Sequence, residues 1–167
     1  MHDTLQARLL DESMIGPAYT LVQNSVPNVS PARWRDFAAP QIDSRRPDWP
    51  SGIMSAQNSA GCILGLYRFE VRDILHISRT FCADNIIVAS FPGRERIWEV
   101  LAKTMDDMAR VNGCRMIRAE LSTELGQPGH ETAWLMAMCR ECGFALDGLR
   151  GFKLVMLPAS ATKAGAL

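Results

Sequence analysis

The spacing of hydrophobic residues changes several times along the chain, and each change predicts a new element. Residues 5–10, "LQARLL", form a short strand candidate. The runs "GIMSAQ" and "CILGLYRFEV" flank the turn "NSAG", which predicts a β-hairpin. A further strand is predicted over "DILHISR", after a turn near Arg72. The continuous apolar run "NIIVAS" is typical of a strand covered on both faces.

Two helices are predicted before the hairpin. Asp11 is a candidate cap for a helix through "MIGPAYTLVQ", in which Pro17 would bend the helix or delay its start. Ser30 is a good N-cap for the second helix, and Pro31 suits its first position. Residues 40–52 contain three prolines around a charged centre and are predicted to form a surface loop.

The pattern becomes helical after residue 95. One stripe of a helix carries the apolar residues Ile97, Leu101, Met105, Met108 and Ala109. Gly113 would end this helix, and the strand "CRMIRAEL", the loop "STELGQPGH", the helix "ETAWLMAMCREC" and two closing strands would follow. A strand–helix–strand unit over 85–120 predicts two parallel strands. The predicted fold class is therefore α/β, with a mixed, mostly antiparallel sheet, a parallel central pair and helices on both faces.

Composition narrows the class of protein. The 167 residues suit one domain, which we place at 1–157 with a flexible tail at 158–167. Lysine plus arginine equals aspartate plus glutamate, 18 against 18, so no general attraction to nucleic acid or an anionic membrane is expected. No apolar run approaches the ~20 residues of a membrane helix. The five cysteines have no regular spacing, which indicates reduced thiols in a cytoplasmic protein.

Two segments carry a resemblance to a known family. "DNIIVASFPGRERIWEVLAKTMDDMARVNGCRMIRAEL" resembles the acyl-CoA segment of the GNAT superfamily of N-acetyltransferases, and "ETAWLMAMCRECGFAL" resembles its next helix. The resemblance covers about residues 5–157. It implies a GNAT-like fold and direct transfer of an acetyl group from acetyl-CoA to the amine of a small molecule or peptide, without a metal. The family's phosphate-turn positions hold Gly93, Arg96 and Trp98, which do not fit its signature, and its tyrosine falls on Cys139.

The resemblance also implies a set of cofactor contacts. The main chain of Ile87 and Val88 would pair with pantetheine, and the turn that opens the helix would meet the pyrophosphate. The candidate contacts in this turn are Arg94, Glu95, Arg96, Ile97 and Trp98. Two alternatives stay open on the residues alone: the acidic side chains could simply neutralise the arginines, and the tryptophan could pack at the rim of the core.

Two residues are candidates for proton transfer. Glu120, at the end of its strand, is the candidate base, although Arg118 on the same face could simply pair with it. Cys139 would be the acid that protonates the departing thiolate, with an ordinary thiol pKa near ~8.5, but core packing is the default for both cysteines of "CREC". His76, on a predicted strand, and His130, before the last helix, are weaker candidates.

These features leave two main function classes. The first is an acyl-CoA-dependent N-acyltransferase. The second is a catalytically inactive GNAT-like ligand-binding or protein-interaction module, motivated by the missing signature residues. A zinc or redox protein built on "CREC" is a third alternative, but two cysteines are too few ligands for structural zinc. The acceptor would be bound by the first two helices and by loops 40–52 and 122–130, and the oligomeric state stays open, with a homodimer as one option.

Overall fold

A computed structural model describes residues 4–43, 50–121 and 129–157, with the side chains of residues 129 and 130 left out. The strands are β1 (Gln6–Leu9), β2 (Ser51–Gln57), β3 (Ile63–Ile74), β4 (Ser78–Val88), β5 (Met116–Glu120), β6 (Ala145–Asp147) and β7 (Arg150–Leu154). The α-helices are α1 (Ile15–Ser25), α2 (Pro31–Asp43), α3 (Glu95–Val111) and α4 (Gly129–Glu141), and a 3-10 turn (Glu12–Met14) precedes α1. The proposed tail at 158–167 lies outside the described residues.

The strands form one mixed sheet in the order β1-β2-β3-β4-β5-β7-β6. Among the described strands, only β4 and β5 run parallel, joined by α3 as the crossover, and the other neighbouring strands are antiparallel. The predicted fold class, with its parallel central pair, is confirmed. None of the helices within the described ranges combines the length and apolar character needed to span a bilayer.

Alternate residues of the central strands enter two separate hydrophobic clusters. Tyr67, Phe69 and Phe81 belong to the cluster that contains the buried stripe of α3. Leu66 and Ile87 belong to the other cluster, together with the buried residues of α1 and α2. Because neighbouring residues of a strand point to opposite faces, each face of the sheet is covered by its own pair of elements. The predicted placement of helices on both faces follows from this alternation.

Helix α2 is longer than predicted at its C-terminal end. The cap is as predicted, since the hydroxyl of Ser30 accepts a hydrogen bond from the N–H of Arg33 at 3.1 Å. The loop predicted from residue 40 is wrong at its start, because the helix passes through Pro40 and ends at Asp43. Pro40 has no N–H group, so one hydrogen bond of the helix is missing there. Contacts beyond it compensate: Gln41 Oε1 accepts from Arg68 Nε at 3.0 Å, and Ile42 packs on the α1–α2 cluster.

The separate strand predicted over "DILHISR" is wrong. β3 continues to Ile74, a tight turn follows, and β4 runs without interruption from Ser78 to Val88. The N–H of Ile77 bonds to the carbonyl of Ile74 at 2.8 Å and Ser78 takes a φ of 74°, which together close the turn. His76 therefore lies exposed at a hairpin tip and not on a strand. The apolar residues of this turn gave it the appearance of a strand.

One extra residue interrupts β4. The pairing with β3 changes register between Leu66, opposite Ile87, and Arg68, opposite Asp84. One residue of β3, Tyr67, therefore lies opposite two residues of β4, Asn85 and Ile86, which defines a β-bulge, and Asn85 has a φ of 50°. The bulge reverses which residues of β4 point to each face. Ala83 and Ile86 both enter the α3 cluster, whereas Ile87 enters the α1–α2 cluster.

Candidate functional site

A gap opens in the sheet where β4 outruns β5. The two strands pair only from Thr80–Ala83 to Met116–Ala119. β4 then continues for five residues to Val88, whereas β5 ends at Glu120. We call the space beside residues 84–88 of β4 the β4–β5 gap. An unpaired strand edge of this kind presents main-chain donors and acceptors to a ligand.

The main chain of Val88 faces this gap. The N–H of Ala89 bonds to the carbonyl of Leu64 on β3 at 2.8 Å. Because main-chain groups alternate in direction along a strand, Ile87 also faces β3, where it pairs with Leu66, and Val88 faces the gap. The sequence proposed both residues as partners of pantetheine. Only Val88 has its N–H and C=O directed to the open side.

A cavity lies at the mouth of the gap. Its volume is about 420 Å³, and β4 and the residues after it contribute Val88, Ala89 and Ser90. Residues of α1 and Glu131 of α4 complete the described lining. A separate void of only about 10 Å³ lies beside Ile86 and Val88, where Trp134 and Leu135 of α4 also contribute to the lining. The mouth therefore has room for a ligand, whereas little space is left between β4 and α4 at this void.

Several N–H groups in the turn that begins α3 are already hydrogen-bonded to carbonyl groups of the same turn. The N–H groups of Arg94 and Arg96 bond to the carbonyls of Phe91 and Gly93, each at 3.2 Å. Those of Ile97 and Trp98 bond to the carbonyl of Arg94 at 3.0 and 3.2 Å. These amides are thus less available to an anion than in a glycine-rich phosphate turn, although the partial positive charge of the helix end remains.

The side chains of this turn point in different directions. Glu95 and Arg96 are exposed, and neither forms an ion pair with another residue in the described ranges. Ile97 is buried, with 1% of its surface exposed, and packs in the core. The neutralising role left open for Glu95 is therefore not seen in this arrangement, and Arg96 is the cation that lies open to solvent at the start of α3.

Arg94 instead reaches across to α4 and contacts residues that line the gap. Its guanidinium forms an ion pair with the carboxylate of Glu131, and its Nη1 donates to the hydroxyl of Ser90 at 3.2 Å. The same guanidinium lies 3.9 Å from the ring centroid of Trp134, a cation–π contact. Ser90 in turn donates to Glu131 at 3.2 Å. We call these four residues the Arg94 latch; it joins the ends of β4, α3 and α4.

Trp98 lies in the core beneath the helix. Its side chain has 0% of its surface exposed and packs among the residues of the α3 cluster. The indole N–H has no partner at normal hydrogen-bond geometry within the described ranges. Burial raises the pKa of the neighbouring Cys142 thiol, and the indole of Trp98 offsets part of this rise. Of the two alternatives for Trp98, this position corresponds to packing, and it leaves the indole no surface for pantetheine or adenine.

Glu120 lies on the α1–α2 face of β5 in a row of charged residues. Its carboxylate is 3.5 Å from Arg118 Nη2 and 3.8 Å from Arg150 Nε, and 44% of the side chain is exposed. Asp84 and Glu120 each directly follow the last paired residues of the two strands, Ala83 and Ala119. Asp84 Oδ2 accepts from Arg68 Nη1 at 2.5 Å, and its Oδ1 accepts from Asn85 Nδ2 at 2.6 Å. Two carboxylates thus lie where the strands diverge.

Cys139 is fully buried within the α3 cluster. Burial raises the pKa of its thiol to about 12, and the nearby Cys142 adds to the effect. The ordinary thiol pKa assumed from the sequence does not hold here, because a thiolate would lose its hydration in the core. Its role as an acid stays a prediction, and its burial favours the packing alternative.

We expect Cys139→Ala to lower the free energy of unfolding by about 1 kcal/mol, as for other small cavity-forming changes.

The buried thiol of Cys139 should also make the stability of the protein depend on pH. Its pKa is higher in the folded state, so its contribution is complete below about pH 8.5 and is lost as pH rises towards 12. Wild-type stability should therefore fall more steeply than that of the variant between about pH 9 and 10.5, by up to about 1.4 kcal/mol per pH unit. Urea titrations at several pH values would measure this; equal slopes would contradict the buried thiol.

The remaining histidine and metal candidates add little to the site. His76 is remote from the gap, at the β3–β4 hairpin tip. The side chain of His130, and the loop 122–128 before it, lie outside the described residues. Within the described ranges, no group of three His, Cys, Asp or Glu side chains could hold a metal ion. All five cysteines are free thiols.

Several residues of the site could not be identified from the sequence. Asn85 was predicted as the first residue of the strand "NIIVAS" and Asp84 as the residue before it, yet both lie inside β4 at the bulge. Glu131 and Trp134 read only as part of a helical pattern. Their contacts with Arg94 join positions 37 and 40 residues apart in the sequence, so no local signal could identify them.

Solved structures of N-acetyltransferases share this architecture. An aminoglycoside N-acetyltransferase in complex with CoA superimposes with a TM-score of 0.67 and 13% identity, over 87% of this chain and 91% of that one. A spermidine N-acetyltransferase from Vibrio cholerae in complex with CoA and spermine gives 0.60 and 17%, over 90% and 95%. A GNAT-family acetyltransferase from Streptococcus pneumoniae gives 0.63 and 12%, over 92% and 100%.

Sequence comparison does not extend this result. No family model matches the chain, and no curated protein is significantly similar to it. The resemblance to the GNAT superfamily is thus confirmed at the level of the fold, with sequence identities of 12–17% to the three structures above.

Proposed function

We propose that the chain is an acyl-CoA-dependent N-acyltransferase that transfers an acetyl group to a primary amine at the β4–β5 gap. The observation that carries the proposal is the open main-chain edge of β4 at Val88, which borders the cavity of about 420 Å³. The similarity of the chain's fold to those of solved N-acetyltransferases also supports the proposal.

The residues around the gap suit a long arm that carries amides and ends in phosphate. The N–H and C=O of Val88 could bond to amide groups of the arm as an added strand would. The N-terminus of α3 favours an anion, and Arg96 is exposed beside it. Acetyl-CoA, when bound, supplies an acyl carbon activated as a thioester.

The reaction balances without another reactant. The amine nitrogen forms a bond to the acyl carbon, and the carbon–sulfur bond breaks with its electron pair moving to sulfur. The nitrogen loses one proton and the sulfur gains one. An amine arrives largely as ammonium, so it must first lose a further proton. We assign that step to Asp84 or Glu120, directly or through water, because both carboxylates lie where the strands diverge. A buried thiol with a raised pKa is a poor donor, so we assign the proton on sulfur to water rather than to Cys139.

The Arg94 latch would have to open for this ligand. Arg94 holds Glu131, and Trp134 lies beneath its guanidinium, so the interior of the gap stays closed. A pyrophosphate offers Arg94 a second set of charge-assisted bonds. Exchange of the carboxylate for phosphate would release Trp134 from its position over the gap. Arg94 would thus act both as the closing residue and as a contact for the pyrophosphate, the role that the resemblance implies for it.

A second function has its own support. The bonded amides of the α3 turn and the space of only about 10 Å³ inside the gap would also suit a GNAT-like module without catalysis. Such a module would bind a ligand or a protein through the same scaffold and would not bind acetyl-CoA.

Titration with acetyl-CoA followed by thermal unfolding separates the two functions. An enzyme should gain stability with occupancy, about 2.7 kcal/mol at a ligand concentration of 100 Kd. Val88→Pro removes one N–H that faces the gap and no bond to β3, so it should weaken binding while circular dichroism stays unchanged. Val88→Ala keeps the N–H and should bind normally. No shift at millimolar acetyl-CoA would favour the module.

A further inference from the structure

A second cavity lies farther along β4, between the sheet and the first two helices. Its volume is about 240 Å³. Ile87 lines it, whereas the next residue, Val88, lines the cavity at the mouth of the gap. The two cavities thus meet β4 at consecutive residues. We call the second one the α1–α2 cavity.

The walls of the α1–α2 cavity are apolar and fixed in place. Trp34 and Phe37 of α2 line it, with ring centroids 5.9 Å apart. The indole N–H of Trp34 donates to the carbonyl of Ile15 at 2.7 Å, which ties α2 to the start of α1. The hydroxyl of Tyr19 donates to the carbonyl of Val29, another lining residue, at 2.9 Å. The cavity is therefore formed by held side chains and does not depend on a ligand to shape it.

One end of the cavity is lined by polar side chains that already have hydrogen-bonding partners. Arg68 lines this end, and its guanidinium donates to Gln41, Glu70 and Asp84 at 2.5–3.0 Å. Asn85 lies beside it, at the bulge, and donates to Asp84. With three side chains around it, Arg68 acts as the closed end of the cavity and leaves the remaining space to an apolar group.

The charges around the cavity oppose a polycation. Arg33, at the rim, and Arg68 are the charged residues of the described lining, which contains no carboxylate. The guanidinium of Arg33 is exposed and forms no ion pair with another described residue. Because Glu70 and Asp84 neutralise Arg68, a ligand with several ammonium groups would meet one unpaired cation, Arg33, and no carboxylate in the described lining.

We infer that the α1–α2 cavity binds the acceptor, and that the acceptor is a primary monoamine with one apolar group no larger than an aromatic ring with a short linker. This inference rests on the proposed acyl transfer. An apolar cavity of roughly 150 Å³ holds benzene, and drug-sized ligands need roughly 300 Å³ or more. A volume of about 240 Å³ lies between these limits. The amine would lie at the end near Ile87, one residue from the gap.

Binding of three probes in the absence of acyl-CoA tests the inference. We expect phenethylamine to raise the melting temperature and to saturate in calorimetry, and ethanolamine and spermidine to bind at least tenfold more weakly. Val26 lines the cavity, so Val26→Phe should fill it and weaken phenethylamine binding at least tenfold. Val111→Phe, at a position with 84% exposure on α3, is the matched control and should bind normally. Preferred binding of spermidine, or unchanged binding to Val26→Phe, would overturn the inference.

A charge reversal at the rim provides a test that does not depend on the buried substitution. Arg33→Glu changes an exposed side chain and should leave the fold intact. It should raise spermidine affinity severalfold, because a carboxylate replaces a cation, and phenethylamine should still bind. Unchanged spermidine affinity would contradict the proposed charge selection.

The same probes distinguish this inference from the proposed function. If phenethylamine binds and acetyl-CoA does not, the cavity is a ligand site and acyl transfer is wrong. If acetyl-CoA binds and spermidine is the preferred acceptor in a thiol-release assay, acyl transfer stands and the acceptor class is wrong.

Discussion

Replacement of Trp98 by alanine should lower the free energy of unfolding by about 3–5 kcal/mol, the usual cost of truncating a buried tryptophan. The side chain is 0% exposed and packs with Leu101 and Met105 between α3 and the sheet. Truncation would leave a cavity that these neighbours can fill only in part. Urea unfolding at neutral pH would measure the loss, with the midpoint and the slope analysed separately.

Trp98→Phe is the matched control for this prediction. It keeps an aromatic ring in the core and removes an indole N–H that has no partner at normal geometry within the described ranges. We expect it to lose less than half as much stability. A Trp98→Ala variant within about 1 kcal/mol of the wild type that binds acetyl-CoA poorly would contradict the packing role. It would restore the ligand contact predicted from the sequence.

Opening of the Arg94 latch should strengthen acetyl-CoA binding. In Glu131→Gln the neutral amide keeps a hydrogen-bonding side chain but removes the charge that holds Arg94. Charge-assisted bonds are roughly twice as strong as neutral ones, a difference of about 1.4 kcal/mol, so affinity should rise about tenfold. Calorimetric titration with acetyl-CoA and, separately, with inorganic pyrophosphate would measure the change.

Glu141→Gln is the control on the same helix. Glu141 is exposed near the end of α4, remote in sequence from the latch, and should not alter affinity. Arg94→Gln removes the cation itself and should weaken pyrophosphate binding. If Glu131→Gln binds no more tightly than the wild type, Arg94 is a structural residue only, and the α3 turn must meet the anion without it.

The periodic parts of the fold could be predicted from the sequence. The apolar stripe in the sequence predicted which face of α3 is buried. Gly113 and Gly143, with φ values of 65° and 87°, follow the ends of α3 and α4. The parallel β4–β5 pair followed from the strand–helix–strand order. These features depend on residues close together in the chain, where spacing alone determines which side is buried.

The site could be predicted only in part. The region around Val88 and the start of α3 was located from the resemblance, but the directions of its side chains were not. Arg94 turns to a helix that begins 35 residues later, and Trp98 turns inward. Such contacts depend on how whole elements pack, which a single sequence does not encode locally. The bulge at Asn85 was hidden for a similar reason, since an apolar run gives no sign of one unpaired residue.

The bulge at Asn85 determines which residues of β4 direct their main chain to β3 and which direct it to the gap. A regular strand that continued the register of Asp84 opposite Arg68 would place Ile87 opposite Gly65, so its amide would turn to the open side and Val88 would pair with β3. Loss of Asn85 alone would instead remove the bulge and leave Ile87 and Val88 opposite Leu66 and Gly65, as they are now. Deletion of Asn85 should therefore preserve the open main-chain edge at Val88, whereas the further loss of Ile86 would exchange the roles of the two residues.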